Sequence, residues 1–298
     1  MYLKRIFSAL WRGLKFAAQD TSVTLAVLAI SILALPSHAD ILISPQRAIL
    51  TDDVRQAVIS LHNPGTDPRA YRLSWVERRV TEDGQVLSLK DGENPRSITS
   101  MVRFSPRRVI IQPGQTQTVR LEYRPPADLK PGEYRSHLRI GMEPIADKNG
   151  NSGGTEVMRG EKEGISFRLD ALMSFSVPIF VRHGAGGAEV KISAVEPVIN
   201  KQDGPGVPAL KVTLSRGGEF GAYGRLMVYR QLNASAPVEL IGEAGSVALY
   251  AEVSGHTRMI NLRPDASLTP GSWVRVTYEG VGEERGRVFA EQTFQLGK

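Results

Sequence analysis

Every second residue from Ile165 to Val181 is apolar: Ile165, Phe167, Leu169, Ala171, Met173, Phe175, Val177, Ile179 and Val181. The residues between them are mostly polar: Ser166, Arg168, Asp170, Leu172, Ser174, Ser176, Pro178 and Phe180. Side chains of a strand alternate between two faces, so this pattern predicts one half-buried strand. It lasts about three times as long as the usual strand of about 5–6 residues. Such a strand outruns the partners its own sheet can supply. An unpaired strand edge is an aggregation hazard, and a chain that keeps one is expected to use it for pairing with another chain.

The rest of the sequence reads as further short strands separated by turns, the pattern of β-sandwiches. In the first half these runs are 41–50 (interrupted by Pro45), 54–62, 70–76, 85–89, 101–111, 116–123 and 133–142. Turn residues such as Asn63-Pro64-Gly65, Asp83-Gly84 and Gln112-Pro113-Gly114-Gln115 stand between them. Residues 146–164 (ADKNGNSGGTEVMRGEKEG) are Gly-rich, charged and poor in bulky apolar groups, which predicts a mobile loop, either a plain surface insertion or a hinge for the strand after it. Arg182 to Gly187 reads as a linker. A second series of strands follows: 189–197, 209–215, 223–231, 246–253, 257–262, 273–278 and 287–295. The predicted fold class is all-β, with two β-sandwich domains. The predicted boundaries are 1–39, 40–183 with the long strand at 165–182, and 184–298.

Residues 1–39 are of another kind. Lys4, Arg5, Arg12 and Lys15 precede an apolar run from Val23 to Leu35, and Ser37-His38-Ala39 is a small-x-small site. This is the pattern of a cleavable secretory signal peptide, with the mature chain starting near Asp40. The run of 13 residues falls short of the roughly 20 that a spanning helix needs. No later stretch is long and apolar enough to span a membrane. Of the 37 Lys+Arg and 31 Asp+Glu, the leader holds four and one, so the remainder carries 33 against 30. That balance gives no reason to expect a nucleic-acid partner. There is no cysteine, which excludes disulfides, thiolate catalysis and cysteine-ligated metals.

The search for chemistry is mostly negative. His62, His137, His183 and His256 lack metal-ligand spacing, and no nucleotide, nucleophile-elbow or zinc-protease motif occurs. No catalytic residue, metal or cofactor is predicted. The arginines carry more. Arg47 lies inside the first apolar run, Arg107 and Arg108 follow Pro106, and Arg182 ends the long strand. An arginine within a strand usually lays its stem on the surface with its head in water. Its alternative use is as a carboxylate anchor, because the planar guanidinium offers a two-bond fork.

Several segments, in order, resemble the periplasmic pilus-assembly chaperones of the chaperone–usher pathway. These are Ser44-Pro45-Gln46-Arg47-Ala48-Ile49-Leu50, Phe104-Ser105-Pro106-Arg107-Arg108-Val109-Ile110-Ile111-Gln112-Pro113-Gly114-Gln115, Thr118-Val119-Arg120-Leu121, Gly132-Glu133-Tyr134-Arg135-Ser136-His137-Leu138 and Pro178-Ile179-Phe180-Val181-Arg182. The resemblance covers most of the mature chain and is best between 40 and 182. The GEYRSHL segment is similar to the archaic branch of that family. The resemblance implies two immunoglobulin-like β-sandwich domains with a cleft between them, and a non-enzymatic, ATP-independent periplasmic chaperone. It would lend its long strand to a pilus (fimbrial) subunit and deliver that subunit to an outer-membrane usher. The implied donor residues are Phe167, Leu169, Ala171, Met173 and Phe175. The implied carboxylate anchor is Arg47. Pro178 stands where the family places a lysine, so a second cation is expected from Arg107, Arg108 or Arg182. At strand rise Arg182 is about 13 Å beyond Pro178, which favours Arg107 or Arg108. The competing reading of the same residues is an exported β-sandwich binding or adhesin-like surface protein. A hydrolase with a dispersed triad has no motif in its favour.

Overall fold

The computed structural model describes residues 41–145, 155–162, 165–201, 206–231, 236–266, 268 and 270–296. The expected leader lies outside them. The described chain is all-β, with one 3-10 turn at Gly282–Glu284 and no α-helix.

The first half contains β1 (Leu42–Ser44), β2 (Ala48–Thr51), β3 (Gln56–His62), β4 (Arg69–Val80), β5 (Val86–Leu89), β6 (Val102–Ser105), β7 (Arg108–Ile111), β8 (Thr116–Tyr123) and β9 (Gly132–Glu143). Two prolines decide how these divide between sheets. Pro45 separates β1 from β2, and Pro106 separates β6 from β7. A proline has no N–H for the ladder, so a strand that meets one ends or changes sheets. Accordingly β1-β3-β8-β6 form one sheet, while β2, β4, β5, β7 and β9 belong to the other. Leu50, Ile59, Leu61, Tyr71, Leu73, Val119, Leu121, Leu138 and Ile140 are buried at alternate positions of both sheets, the pattern of a sandwich core.

Two expectations are corrected here. Residues 155–162, predicted as part of a mobile loop, form strand β10 (Thr155–Lys162); 146–154 and 163–164 lie outside the described residues. The long strand 165–182 is two strands, β11 (Ile165–Ala171) and β12 (Ser174–His183), with Leu172 and Met173 between them. β10 and β11 make a two-stranded antiparallel hairpin whose register slips between Glu156 and Met158. β12 runs antiparallel to β9 from Ser174↔Gly141 to His183↔Gly132, and parallel to β2 only from Ile179↔Ala48 to Arg182↔Thr51. The Met142 amide still donates to the Met173 carbonyl at 2.9 Å, so the break does not detach the chain from β9.

The second half builds another sandwich. β13 (Glu189–Asn200), β14 (Val207–Gly217) and β17 (Gly255–Asn261) form one sheet. β16 (Glu239–Leu249), β15 (Ala222–Gln231), β18 (Trp273–Gly280) and β19 (Val288–Gln295) form the other. Leu210, Val212 and Leu214 from the first sheet meet Leu226, Val228, Leu249, Val274 and Val276 from the second in one buried cluster. Strand β16 occupies 239–249 rather than the expected 246–253. Its ladder with β15 slips twice, which breaks the alternation that a sequence pattern detects. Residues 250–253 instead turn back, Val253 donating to the Tyr250 carbonyl at 3.1 Å, and carry Tyr250 and Glu252 toward the first sandwich.

Candidate functional site

Odd-numbered residues of β12 face the core of the first sandwich. Val181 and Ile179 are fully buried and Val177 nearly so, while Phe175 is half-buried and Met173 is 43% exposed. The apolar row therefore leaves its own core as it is followed backwards. On one side β12 pairs with β9 throughout, but on the other β2 begins only at Ile179. Residues 174–178 thus keep one edge without a partner among the described residues. Among the described residues β11 likewise has a ladder on one side only, where Phe167 faces Gly160, Leu169 faces Met158 and Ala171 faces Thr155. The free edge and the unfinished apolar row coincide.

Across the same sheet lies a second feature, which faces the other sandwich. The Arg47 guanidinium is layered between the Phe180 ring of β12, 4.2 Å from the centroid, and the Tyr223 ring of β15, at 4.3 Å. Phe180 in turn stacks on Tyr250, centroids 6.2 Å apart and planes 10° from parallel. Arg135 of β9 packs on Tyr250 at 3.8 Å and on Phe180 at 5.9 Å. Rings cover both faces of Arg47, and its buried Nε has no hydrogen-bond partner among the described residues. Desolvation lowers its pKa from the usual arginine value, Glu133 pulls it back up, and Arg182 pushes it down. A guanidinium stacked on both faces presents its N–H groups only at its rim, so an oxyanion must approach in its plane.

Arg182 is held differently. Its Nε donates to Glu133 at 2.9 Å, its Nη1 pairs with Glu284, and its Nη2 donates to the Gly221 carbonyl at 3.2 Å. Burial alone would lower its pKa, but Glu133 and Glu284 more than offset this and leave it raised. Glu133 belongs to the first sandwich and Glu284 to the second, so the triad bolts them together. Gly221 permits the approach: a Cβ there would lie 2.7 Å from Glu133 Oε1 and 2.7 Å from the Leu249 carbonyl. Arg135 and Glu252 form a second buried pair across the same boundary. A latch holds the exit from β12, where Asp52 accepts from the Gly184 amide at 2.8 Å and meets His183 Nδ1 at 2.7 Å.

Arg107 and Arg108 are elsewhere. Arg108 shares Glu143 with Arg72 at an exposed site. Glu143 is ten residues along β9 from Glu133, about 33 Å at strand rise. Arg107 lies over the Phe104 ring at 5.1 Å. The preference for these two as neighbours of Arg47 is therefore reversed. Arg182 is the arginine brought near Arg47, because β2 and β12 run side by side. Sequence reading passed over Phe180, Tyr223, Tyr250, Glu133, Glu284 and Arg135. One signal was present: Phe180 is a large aromatic on the mostly polar even row, and marks a second buried face.

No family model matches the sequence, and no curated protein sequence matches it. Solved structures similar to this chain include many pilus chaperones. One is the SafB chaperone in complex with the SafA pilin of Salmonella enterica, with 12% identity, TM-score 0.43, 88% of this chain and 99% of that one covered. Another is the E. coli chaperone DraB, with 12% identity, TM-score 0.43, and coverage of 87% and 97%. A third is the CsuC–CsuE chaperone–tip subunit pre-assembly complex of archaic chaperone-usher Csu pili of Acinetobacter baumannii, with 12% identity, TM-score 0.41, and coverage of 87% and 99%.

Proposed function

We propose that this chain is a periplasmic chaperone for pilus subunits that works by strand addition. It lends the free edge of residues 165–178 to a subunit that lacks a strand, and passes the subunit to an outer-membrane usher. The observation that carries this reading is the coincidence of an unpaired edge with an apolar row that runs out of its own core. Main-chain hydrogen bonds along the edge supply affinity, and alternate side chains entering a groove supply specificity. Burying Leu169, Met173 and Phe175 is worth about 1.5–3 kcal/mol each before the costs of association. No nucleotide is needed, since this burial itself drives capture. Arg47, with its rim free, holds the terminal carboxylate of the bound subunit and sets its register; Arg182 keeps the floor of the cleft in place.

The test is co-expression with a pilus subunit and measurement of subunit yield in periplasmic extracts. Leu169→Asp and Met173→Asp put a charge into an apolar groove and are expected to abolish capture while the chaperone stays folded. Normal yield with both variants would overturn the reading.

A further inference from the structure

A cavity of about 360 Å³ opens between the end of β4, the 93–96 loop, β9 and the 251–252 turn of the second sandwich, on the same face of the sheet as Arg47. Its lining is rich in arginine: Arg78, Arg79, Arg96 and Arg135. Three glutamates also line it, but two are already neutralised, Glu252 by Arg135 and Glu133 by Arg182. Glu93, whose carboxylate accepts the Lys90 amide at 2.8 Å, is left facing Arg78, Arg79 and Arg96.

The donors of these three arginines are largely unspent. Arg96 uses Nη1 on the Glu133 carbonyl at 2.9 Å. The side chains of Arg78 and Arg79 have no hydrogen bond or ion pair among the described residues. A guanidinium carries five N–H donors. Arg78 and Arg96 are half-buried, so their charges are screened less than those of surface arginines. Arg135 is buried beneath them, 5% exposed, and its Nη2 donates to the Arg78 carbonyl at 3.3 Å, which fixes the floor. The volume lies at the lower end of small-ligand pockets, about 300–1,000 Å³.

We infer that this cavity is a binding site for a small oxyanion, a phosphate or a compact dicarboxylate, held by Arg78, Arg79 and Arg96. The bound anion bridges the two sandwiches, because its walls come from both. The floor of the site, Arg135, also packs on Tyr250 beside the Arg47 stack, but its three unspent arginines belong neither to that stack nor to the donor edge, and the site does not depend on the chaperone reading.

The experiment is isothermal titration of the purified full chain with inorganic phosphate and, separately, with succinate, at constant ionic strength set by chloride. Saturable one-to-one binding is expected, weakened at least tenfold in Arg78→Gln/Arg96→Gln and weakened in Arg79→Gln, whose exposed position makes it a variant that folds normally. Arg103→Gln/Arg107→Gln removes the same charge at a distant exposed site and is expected to bind as the parent does. Binding of phosphate alone assigns a phosphoryl ligand, and binding of both assigns any compact dianion. Three results would each overturn the proposal: no saturable heat from either anion, undiminished binding in Arg79→Gln and the Arg78/Arg96 variant, or equal loss in the control variant.

Discussion

Arg47, immediately before β2, and Phe180 of β12 lie face to face, guanidinium carbon to ring centroid 4.2 Å, and β2 and β12 run parallel in one sheet. The contact lies within the first sandwich. The other face of Arg47 is closed by Tyr223 of the second, at 4.3 Å. An arginine held between two rings loses hydration on both faces, and its remaining attraction is for a group in its own plane.

Replacing Arg47 is therefore expected to affect capture more than folding. A hydrogen bond to a charged group contributes about 1.5–3 kcal/mol, so Arg47→Ala should weaken subunit binding roughly 10- to 150-fold. Arg47→Met keeps an apolar filling between the rings and should lose as much binding with a smaller change in Tm. Affinity and melting temperature, measured together on both variants, check this; parent-like affinity would remove Arg47 from the anchor.

Arg182→Ala should destabilise strongly. It leaves Glu133, only 3% exposed, without its cation, and Glu284 with Arg287 at 3.6 Å as its remaining partner. Breaking a buried pair in this way costs about 3–5 kcal/mol. Arg182→Met combined with Glu133→Gln removes both charges and should recover much of that loss. Urea denaturation of the single and double variants decides it, since equal destabilisation by both would mean that packing rather than charge holds the boundary.

Gly221→Ala tests the close approach of the sandwiches. The added Cβ would sit 2.7 Å from both Glu133 Oε1 and the Leu249 carbonyl, closer than real contacts allow. Overpacking of this kind costs about 1–3 kcal/mol. Gly245→Ala, where a Cβ meets nothing within 4 Å, is the control and should change Tm little.

Stability should fall with acidity through His137. Burial, then the nearby charges of Arg135 and Arg78, lower its pKa from 6.5 to about 3, and its buried Nδ1 has no hydrogen-bond partner. The unfolded chain takes up a proton below pH 6.5 while the folded chain refuses it until about pH 3. Stability from this group is thus complete above the unfolded value and declines on acidification between the two, with a slope of up to about 1.4 kcal/mol per pH unit. His137→Leu should flatten the profile in that window. Parallel denaturation curves across it, with an unchanged slope in the variant, would assign the acid sensitivity to other groups.

The β class and the apolar row of residues 165–181 were legible in the sequence, because both follow from period-2 alternation and from turn residues, which are local. Arg47 stood out as an arginine in an apolar run, but the rings that enclose it were not visible. The break at Leu172–Met173 and strand β10 were not legible either: the alternation continues through the first, and the second is poor in apolar residues, so only a pairing partner reveals each. The same limit applied to the cleft. Sequence separation placed Arg182 about 13 Å beyond Pro178 and disfavoured it. The fold lays β2 beside β12, folds Gly221 and Glu284 onto Arg182, and leaves Arg108 with Glu143 at the other end of the sheet. Alternation fixes which way a side chain faces along its own strand. Which charges and rings meet there depends on strand register and on how two sheets from distant parts of the chain pack, and those are decided only when the whole chain buries its apolar faces together.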